Sequence, residues 1–160
     1  MELKELMAAF AAKLGIAGLE VKDGSCSLEI DGIPVEILET EDGSHFVASA
    51  GIGTPPLEKT ADFFRMILAA NVELFARHDV AFGLSPESGD LVLQWRLPAQ
   101  GLDLDSFCTR LEAFLVNVEQ WRKVLDDFGA AADEAAVREE DAPVFGSPDS
   151  GFPMGGFMQV

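Results

Sequence analysis

The stretch that decides the fold reads Leu57-Glu-Lys-Thr-Ala-Asp-Phe-Phe-Arg-Met-Ile-Leu-Ala-Ala-Asn-Val-Glu-Leu74. Thr54-Pro55-Pro56 precedes it and favours a helix start, because threonine caps helices and proline is tolerated in the first turn. Apolar residues recur at helical spacing in two adjacent strips. Because one strip suffices to pack a helix on a sheet, the pattern predicts a helix buried on one side in its own domain and on the other in a partner subunit.

The two strips differ in their predicted roles. The strip predicted to pack within the domain comprises Leu57, Ala61, Phe64, Leu68, Val72 and Phe75. The strip beside it comprises Phe63, Ile67, Ala70 and Leu74, with Met66 further round.

Composition limits the classes of protein that this chain can belong to. Its 160 residues suffice for one domain with a core, and 48% hydrophobic residues indicate a folded chain. The net charge of −17, from 28 acidic and 11 basic residues, argues against nucleic acid and anionic membranes as partners. No apolar run approaches the roughly 18–20 residues of a membrane span. The acidic, amphipathic start is not expected to be a signal peptide. Cys26 and Cys108 are expected to be reduced thiols of a cytoplasmic protein.

The rest of the chain alternates between helical and strand patterns. An opening amphipathic helix is predicted from Leu3 to Leu14 and ends at Gly15. The strand predictions are 25–30, 34–39, 45–50, 80–84 and 91–97, with turn signals at Asp31-Gly32, Asp42-Gly43 and 85–90. A long helix then starts at Asp103 or Asp105 and ends at Gly129. The order α-β-β-β-α-β-β-α predicts an α+β domain with an antiparallel twisted sheet and three helices.

The composition changes after Gly129, so residues 1–129 are predicted as the domain and 130–160 as an extension. The first part of the extension is rich in alanine and acids, and the second in Gly, Pro, Phe and Met. No sustained periodicity is present, which predicts a largely disordered tail. Its apolar end, Phe152-Pro-Met-Gly-Gly-Phe-Met158, is compatible with docking on an apolar groove of its own or of a neighbouring subunit, and the sequence leaves this open.

No pattern in the sequence supports catalysis. His45 and His78 lack neighbours at metal-ligand spacing, and no GxSxG, HExxH or nucleotide-binding motif occurs. The pair Asp103 and Asp105 favours a helix cap over a metal site, since carboxylates stabilise helix starts. We therefore expect a protein that is not an enzyme and that has no metal or cofactor.

The motifs and their order resemble the class I type III secretion chaperones, the Tir chaperone family. The resemblance rests on Phe63–Asn71, which ends in Leu-x-x-Asn, on Phe82-Gly-Leu-Ser-Pro-Glu87 and on Leu91–Pro98. Leu111-Glu-x-Phe114 and Trp121 fit the last helix of that family. The resemblance covers about residues 1 to 128 and leaves the tail unexplained.

The resemblance implies a cytoplasmic homodimer that binds the extended amino-terminal segment of a secretion effector. Apolar side chains of the effector would enter grooves, and short strands would extend the sheet edge. Such a chaperone would keep its client soluble and secretion-competent without ATP. The alternative is a module of the same fold that acts as an adaptor or regulator outside secretion.

Residue roles follow from the same resemblance. The client groove is predicted from the first helix and first three strands, at Leu6, Phe10, Leu14, Leu28, Val35, Ile37 and Phe46. The dimer interface is predicted at Phe63, Met66, Ile67, Ala70, Leu74, Val92 and Gln94, so Ile67→Asp should give monomer or aggregate. Asn71 is expected to be a buried hydrogen-bonding residue rather than a client contact.

Overall fold

The structure, a computed structural model, describes residues 2–56 and 60–140, with side chains described as far as residue 130. The elements are α1 (Leu3–Leu14), β1 (Ser25–Ile30), β2 (Ile33–Glu39), β3 (His45–Gly53), α2 (Thr60–His78), β4 (Val80–Leu84), β5 (Leu91–Pro98) and α3 (Leu104–Glu140). The predicted order and the α+β class are confirmed.

The five strands form one antiparallel sheet in the order β1-β2-β3-β5-β4. The turn between β1 and β2 has positive φ at both central residues, 51° at Asp31 and 77° at Gly32. This geometry matches the twist of the flanking strands and fixes their register, in which Ile30 lies opposite Ile33. The sheet therefore has two edges, β1 and β4.

The core lies on one face of the sheet. Burial alternates along β2, β3 and β5, so every second side chain points into the core. From the helices, α1 contributes Phe10 and α3 contributes Phe107, whose rings meet edge to face at 5.5 Å. On the opposite face, the side chains of Ser27, Glu36 and Gln94 are exposed.

Two contacts fix α3 against the central strand β3. The Nε and Nη2 atoms of Arg122 both donate to the Gly51 carbonyl oxygen, at 3.0 and 2.8 Å. Next to it, Gly53 has a φ of 147°, and a Cβ there would lie 2.8 Å from Leu125 Cδ2. The positive φ favours glycine here, and the Leu125 methyl group would have to move to admit a larger residue.

The start of α3 agrees with the prediction from the sequence, but its end does not. Asp103 Oδ1 accepts a 2.7 Å hydrogen bond from the backbone N–H of Ser106, as the predicted cap requires. The predicted end at Gly129 is wrong, because α3 continues to Glu140. One glycine costs a helix only about 1 kcal/mol, and the alanines that follow favour the helix. The predicted disorder of 141–160 lies outside the described residues.

The two sides of α2 are exchanged relative to the prediction. Phe63 and Ile67 are 1% and 3% exposed in the single chain, so they form the core contact. The exposed side of α2 consists of Leu68, Val72 and Phe75, which are 64%, 69% and 63% exposed. Leu57, the first residue of the predicted core strip, lies outside the described residues. The helix does have two apolar sides, but the side that packs within the domain was misassigned.

Candidate functional site

An apolar groove of about 400 Å³ opens between the end of α1, the β1–β2 turn and the first half of α3. Its lining residues are Phe10, Lys13, Leu14, Ile30, Asp31, Ile33, Cys108, Leu111, Glu112, Leu115, Val116 and Glu119. The amphipathic patterns of the two helices place their apolar sides toward each other here. The groove is therefore built from three segments that are far apart in sequence.

The groove has an apolar floor and an acidic rim. Phe10, Ile33 and Leu111 are buried at its base. At one end, Lys13 Nζ lies 2.6 Å from Asp105 Oδ1, and this hydrogen bond raises the pKa of Lys13. The remaining charged lining residues are acidic, at Asp31, Glu112 and Glu119. A ligand with apolar side chains and flanking positive charge would suit this lining.

Two apolar side chains at the groove are unusually exposed. Leu14 is 54% exposed and Val116 is 51% exposed, and they stand on different helices. Single exposed leucines are common on protein surfaces, but here the two lie beside a concave apolar floor. The arrangement favours a binding surface for an apolar peptide segment.

The β1 edge beside this groove carries outward-facing backbone groups. The N–H of Glu39 donates to the Gly24 carbonyl oxygen, so alternate β1 residues bond to β2 and the residues between them face outward. The outward residues are Ser25, Ser27 and Glu29. Ser25 is already bonded in both directions to Lys22, at 2.8 Å each. Ser27 and Glu29 therefore present the N–H and C=O groups that an added strand would use.

The other edge, β4, is occupied by a side chain. Asn71 of α2 accepts a hydrogen bond from the Phe82 N–H at 2.6 Å, and its amide nitrogen lies 3.4 Å from the Phe82 carbonyl oxygen. The expected hydrogen bonding of Asn71 is confirmed, but its side chain is half-buried rather than buried. Its amide takes the place of a neighbouring strand at the middle of β4.

The residues predicted for the client groove fall into two groups. Four are buried in the core at 2% exposure or less: Leu6, Val35, Ile37 and Phe46. Burial of this extent leaves no surface for a client, so the alternating pattern identified core rather than groove at these positions. Phe10 and Leu14 do line the groove, and Leu28 is half-buried on β1.

Several groove residues were missed by sequence reasoning. They are Lys13, Ile30, Asp31, Ile33, Cys108, Leu111, Glu112, Leu115, Val116 and Glu119. Val116 gave a usable signal, because it is an apolar residue outside the buried stripe of α3. Ile30 and Ile33 gave no such signal, since the local sequence of a hairpin does not indicate which helix will pack against it.

The residues predicted for the dimer interface are also divided. Phe63 and Ile67 belong to the core of the single chain, so Ile67→Asp would disrupt the fold whatever the oligomeric state. Met66, Ala70, Leu74 and Val92 are half-buried, and Gln94 is exposed. Their role in an interface stays a prediction.

The comparison with family models decides the relationship. The model of the Tir chaperone protein (CesT) family matches residues 5–122. The chain belongs to this family. The Tir chaperone resemblance of the sequence motifs is thereby confirmed, and the family is one of chaperones rather than of enzymes.

Three solved structures that are similar to this chain are complexes. A chain of the ExsC–ExsE complex shares 25% identity with a TM-score of 0.68, over 78% of this chain and 97% of that one. The HopA1–SchA chaperone–effector complex gives 18% identity and a TM-score of 0.64, over 75% and 92%. The Yersinia pestis type III secretion chaperone SycH, in complex with a fragment of YscM2, shares 18% identity with a TM-score of 0.59. The match covers 74% of this chain and 98% of that one. The comparison with curated proteins gives no match.

The described residues contain neither a membrane-spanning helix nor a cluster of metal ligands. No described helix combines the length and the apolar content needed to cross a membrane. Among the same residues, no group of three or more His, Cys, Asp and Glu side chains is placed to hold a metal ion. Cys26 and Cys108 are both free thiols.

Proposed function

We propose that this Tir-family chain is a cytoplasmic, homodimeric chaperone that binds the extended amino-terminal segment of a type III secretion effector. The observation that carries the proposal is that an open apolar groove and an outward-facing strand edge lie side by side. Ile30 belongs to both, since it ends β1 and lines the groove. The complexes formed by its structural neighbours support an effector as the partner.

The groove and the edge recognise different parts of one extended segment. Backbone pairing with Ser27 and Glu29 accepts almost any sequence, because it uses only N–H and C=O groups. The groove supplies selectivity, because it accepts apolar side chains and disfavours acidic ones near Glu112 and Glu119. A client with apolar anchors and basic neighbours fits both.

This mode of binding needs neither ATP nor catalysis. Apolar burial contributes roughly 25 cal/mol per Å², and strand pairing adds hydrogen bonds along the backbone. Holding the client extended on the surface prevents it from folding or aggregating. Binding of this kind requires no chemical step of this chain.

The exposed side of α2 is proposed as the core of the dimer interface. Leu68, Val72 and Phe75 form a row of large apolar side chains. On the open face of the sheet, the central and β4-side strands carry small residues, among them Gly51 and Gly83. In a twofold dimer, the α2 row of each subunit would pack on the small-residue face of the other.

The client proposal is tested with the tagged full chain in its native cytosol. We expect one dominant captured protein and, after limited proteolysis of the complex, protection of its amino-terminal segment. Val116→Asp should abolish capture, because it places a charge on the groove. Leu84→Asp is the matched control, since Leu84 is 50% exposed at the opposite edge strand, and it should capture normally.

Other outcomes would contradict the proposal. Capture of an intact folded protein with no protected amino-terminal segment would favour the adaptor alternative. Equal capture by Val116→Asp and Leu84→Asp would remove the groove as the client site.

The dimer is tested separately by sedimentation. Leu68→Asp and Val72→Asp lie at exposed positions, so the single chain should still fold. We expect a dimer of the unchanged chain and at least about tenfold weaker association of each variant, since a charge in an apolar interface is left unpaired. Val116→Asp, in the groove, should remain dimeric. A monomeric unchanged chain, or variants that associate normally, would refute this interface.

A further inference from the structure

The sequence outside the described residues contains a segment with the composition of a groove ligand. Residues 150–160 carry Phe152, Met154, Phe157 and Met158 and have no charged side chain. The tail before them is rich in alanine and acids as far as Asp141, and residues 142–149 carry a single aromatic residue, Phe145. An apolar cluster of this kind costs free energy in water and gains it when covered.

The groove can accept such a segment. Leu14 and Val116 expose about half of their surface there, and the floor of Phe10, Ile33 and Leu111 is apolar. A segment without acidic side chains avoids the repulsion that the rim acids Glu112 and Glu119 would exert. Chemistry therefore matches residues 150–160 to the groove better than it matches the acidic part of the chain.

The length of the tail permits the contact within one chain. Between Glu140 and Val116, α3 rises about 36 Å, at about 1.5 Å per residue. Twelve residues, 141–152, span up to roughly 41 Å when extended, so Phe152 reaches Val116. Phe157 reaches about 58 Å, beyond the roughly 48 Å to Cys108. Phe145 reaches only about 17 Å and falls short of the groove.

We propose that residues 150–160 occupy the groove of their own chain when no client is bound. The tail runs back along α3, with Phe152 beside Val116 and Phe157 toward Cys108. The proposal rests on the proposed function in one respect, namely that the groove is the client site. The tail then shields the groove from aggregation and must be displaced by the client.

The acidic rim of the groove favours a client with basic residues over the tail. The tail segment has no cation to pair with Glu112 or Glu119, whereas a client with basic residues gains those pairs. Tethering supplies the tail at an effective concentration of order millimolar, so a weak contact suffices to keep it bound. A client with apolar anchors and flanking cations displaces it.

The reactivity of the Cys108 thiol reports whether the groove is occupied when no client is present. It lines the groove and is half-buried, whereas Cys26 is 1% exposed, and burial raises the pKa of the Cys26 thiol. Cys26 should therefore react slowly with a maleimide and serve as the internal reference. The measurement is the maleimide labelling rate of each thiol in the full chain, followed by mass spectrometry.

The full-length double variant Phe152→Ser/Phe157→Ser should label at Cys108 about three- to tenfold faster than the unchanged chain. A synthetic peptide of residues 150–160 should slow that rate again. Phe145→Ser is the matched control and should label like the unchanged chain, because residue 145 cannot reach the groove.

Three results would overturn the proposal. The double variant could label at the unchanged rate, or Phe145→Ser could accelerate labelling equally. Protection that disappears on dilution would show that a second copy supplies the tail. Failure of this test is distinct from failure of the chaperone proposal, since capture of a client by a chain whose Cys108 is unprotected would refute the tail contact alone. Protection of Cys108 in a chain that captures no client would refute the chaperone instead.

Discussion

The two edges of the sheet differ in where their outward backbone groups are already bonded, at the middle of β4 and at the start of β1. At β4, the Asn71 side chain bonds to Phe82 in the position of a neighbouring strand. At β1, Ser25 is bonded outward to Lys22, while Ser27 and Glu29 further along the strand have no outward bond to any of the described residues. β1 therefore leaves two successive outward residues for an added strand, whereas one asparagine interrupts the outward row of β4 at its middle.

The open edge is also the edge that leads into the groove. The β1–β2 turn supplies Ile30, Asp31 and Ile33 to the groove lining. The β4 edge instead faces α2, whose outer side is proposed for a second subunit. The surfaces proposed for the client and for the dimer therefore lie beside opposite edges of the sheet.

The largest expected effect comes from prolines at adjacent positions of β1. Leu28 bonds inward to β2, so Leu28→Pro removes a ladder hydrogen bond and should lower the free energy of unfolding by about 2–4 kcal/mol. Ser27 faces outward, so Ser27→Pro should cost less than about 1 kcal/mol yet block client pairing. Urea unfolding followed by tryptophan fluorescence measures both. Equal losses would show that the deduced bonding pattern of β1 is wrong.

The next largest effect on stability is expected from Asn71, which bonds to the β4 edge. Asn71→Ala leaves the Phe82 N–H without its partner and should cost about 1–3 kcal/mol in the free energy of unfolding. Asn117→Ala is the matched control, since Asn117 is an asparagine on α3 that bonds only to the carbonyl oxygen one turn earlier. It should change stability by less than about 0.5 kcal/mol. If both variants unfold at the same urea concentration, Asn71 does not hold the edge.

The smallest expected effect is on the free energy of unfolding at acid pH, where the β2–β3 turn is compared with the β4–β5 turn. In the β2–β3 turn, hydrogen bonds from Ser44 and Thr40 hold the pKa of Asp42 well below its usual range. In the β4–β5 turn, the hydroxyl of Thr54 is the main cause of a lowered pKa at Asp90. Unfolded aspartate titrates near ~3.9, so each carboxylate stabilises the fold above that pH and loses its contribution as the pH falls toward the folded pKa.

Asp42→Asn should therefore make the loss of stability between pH 5 and pH 2 shallower than in the unchanged chain. Asp90→Asn should do the same to a smaller extent, because fewer donors reach that carboxylate. Unfolding free energies at a series of pH values measure both slopes. A steeper slope in either variant would contradict the assigned direction of the pKa shift.

Sequence reasoning succeeded where local pattern and structure coincide. The alternation in 25–30 and the Asp31-Gly32 turn predicted β1 and its hairpin, because period two and a turn that needs positive φ are local properties. Asn71 was also predicted correctly, since a polar side chain on an apolar stretch of helix needs a partner.

It failed where two local solutions are equivalent. Both sides of α2 are apolar, so periodicity cannot decide whether Phe63 or Leu68 faces the sheet. At Gly129, the penalty of one glycine was weighed more heavily than the alanines after it. The groove could not be predicted as a unit, because Leu14, Ile33 and Val116 come together only in the folded chain.

The contact between Phe10 and Phe107 has a consequence for the order of events during synthesis. These rings lie almost a hundred residues apart in the chain, yet they meet in the core. While the ribosome has delivered only the first helix and the sheet, the apolar face of that sheet lacks its cover. The groove comes into being only with the first turns of the last helix. If the groove is the client site, as proposed, a nascent chain lacks that site until the last helix has emerged.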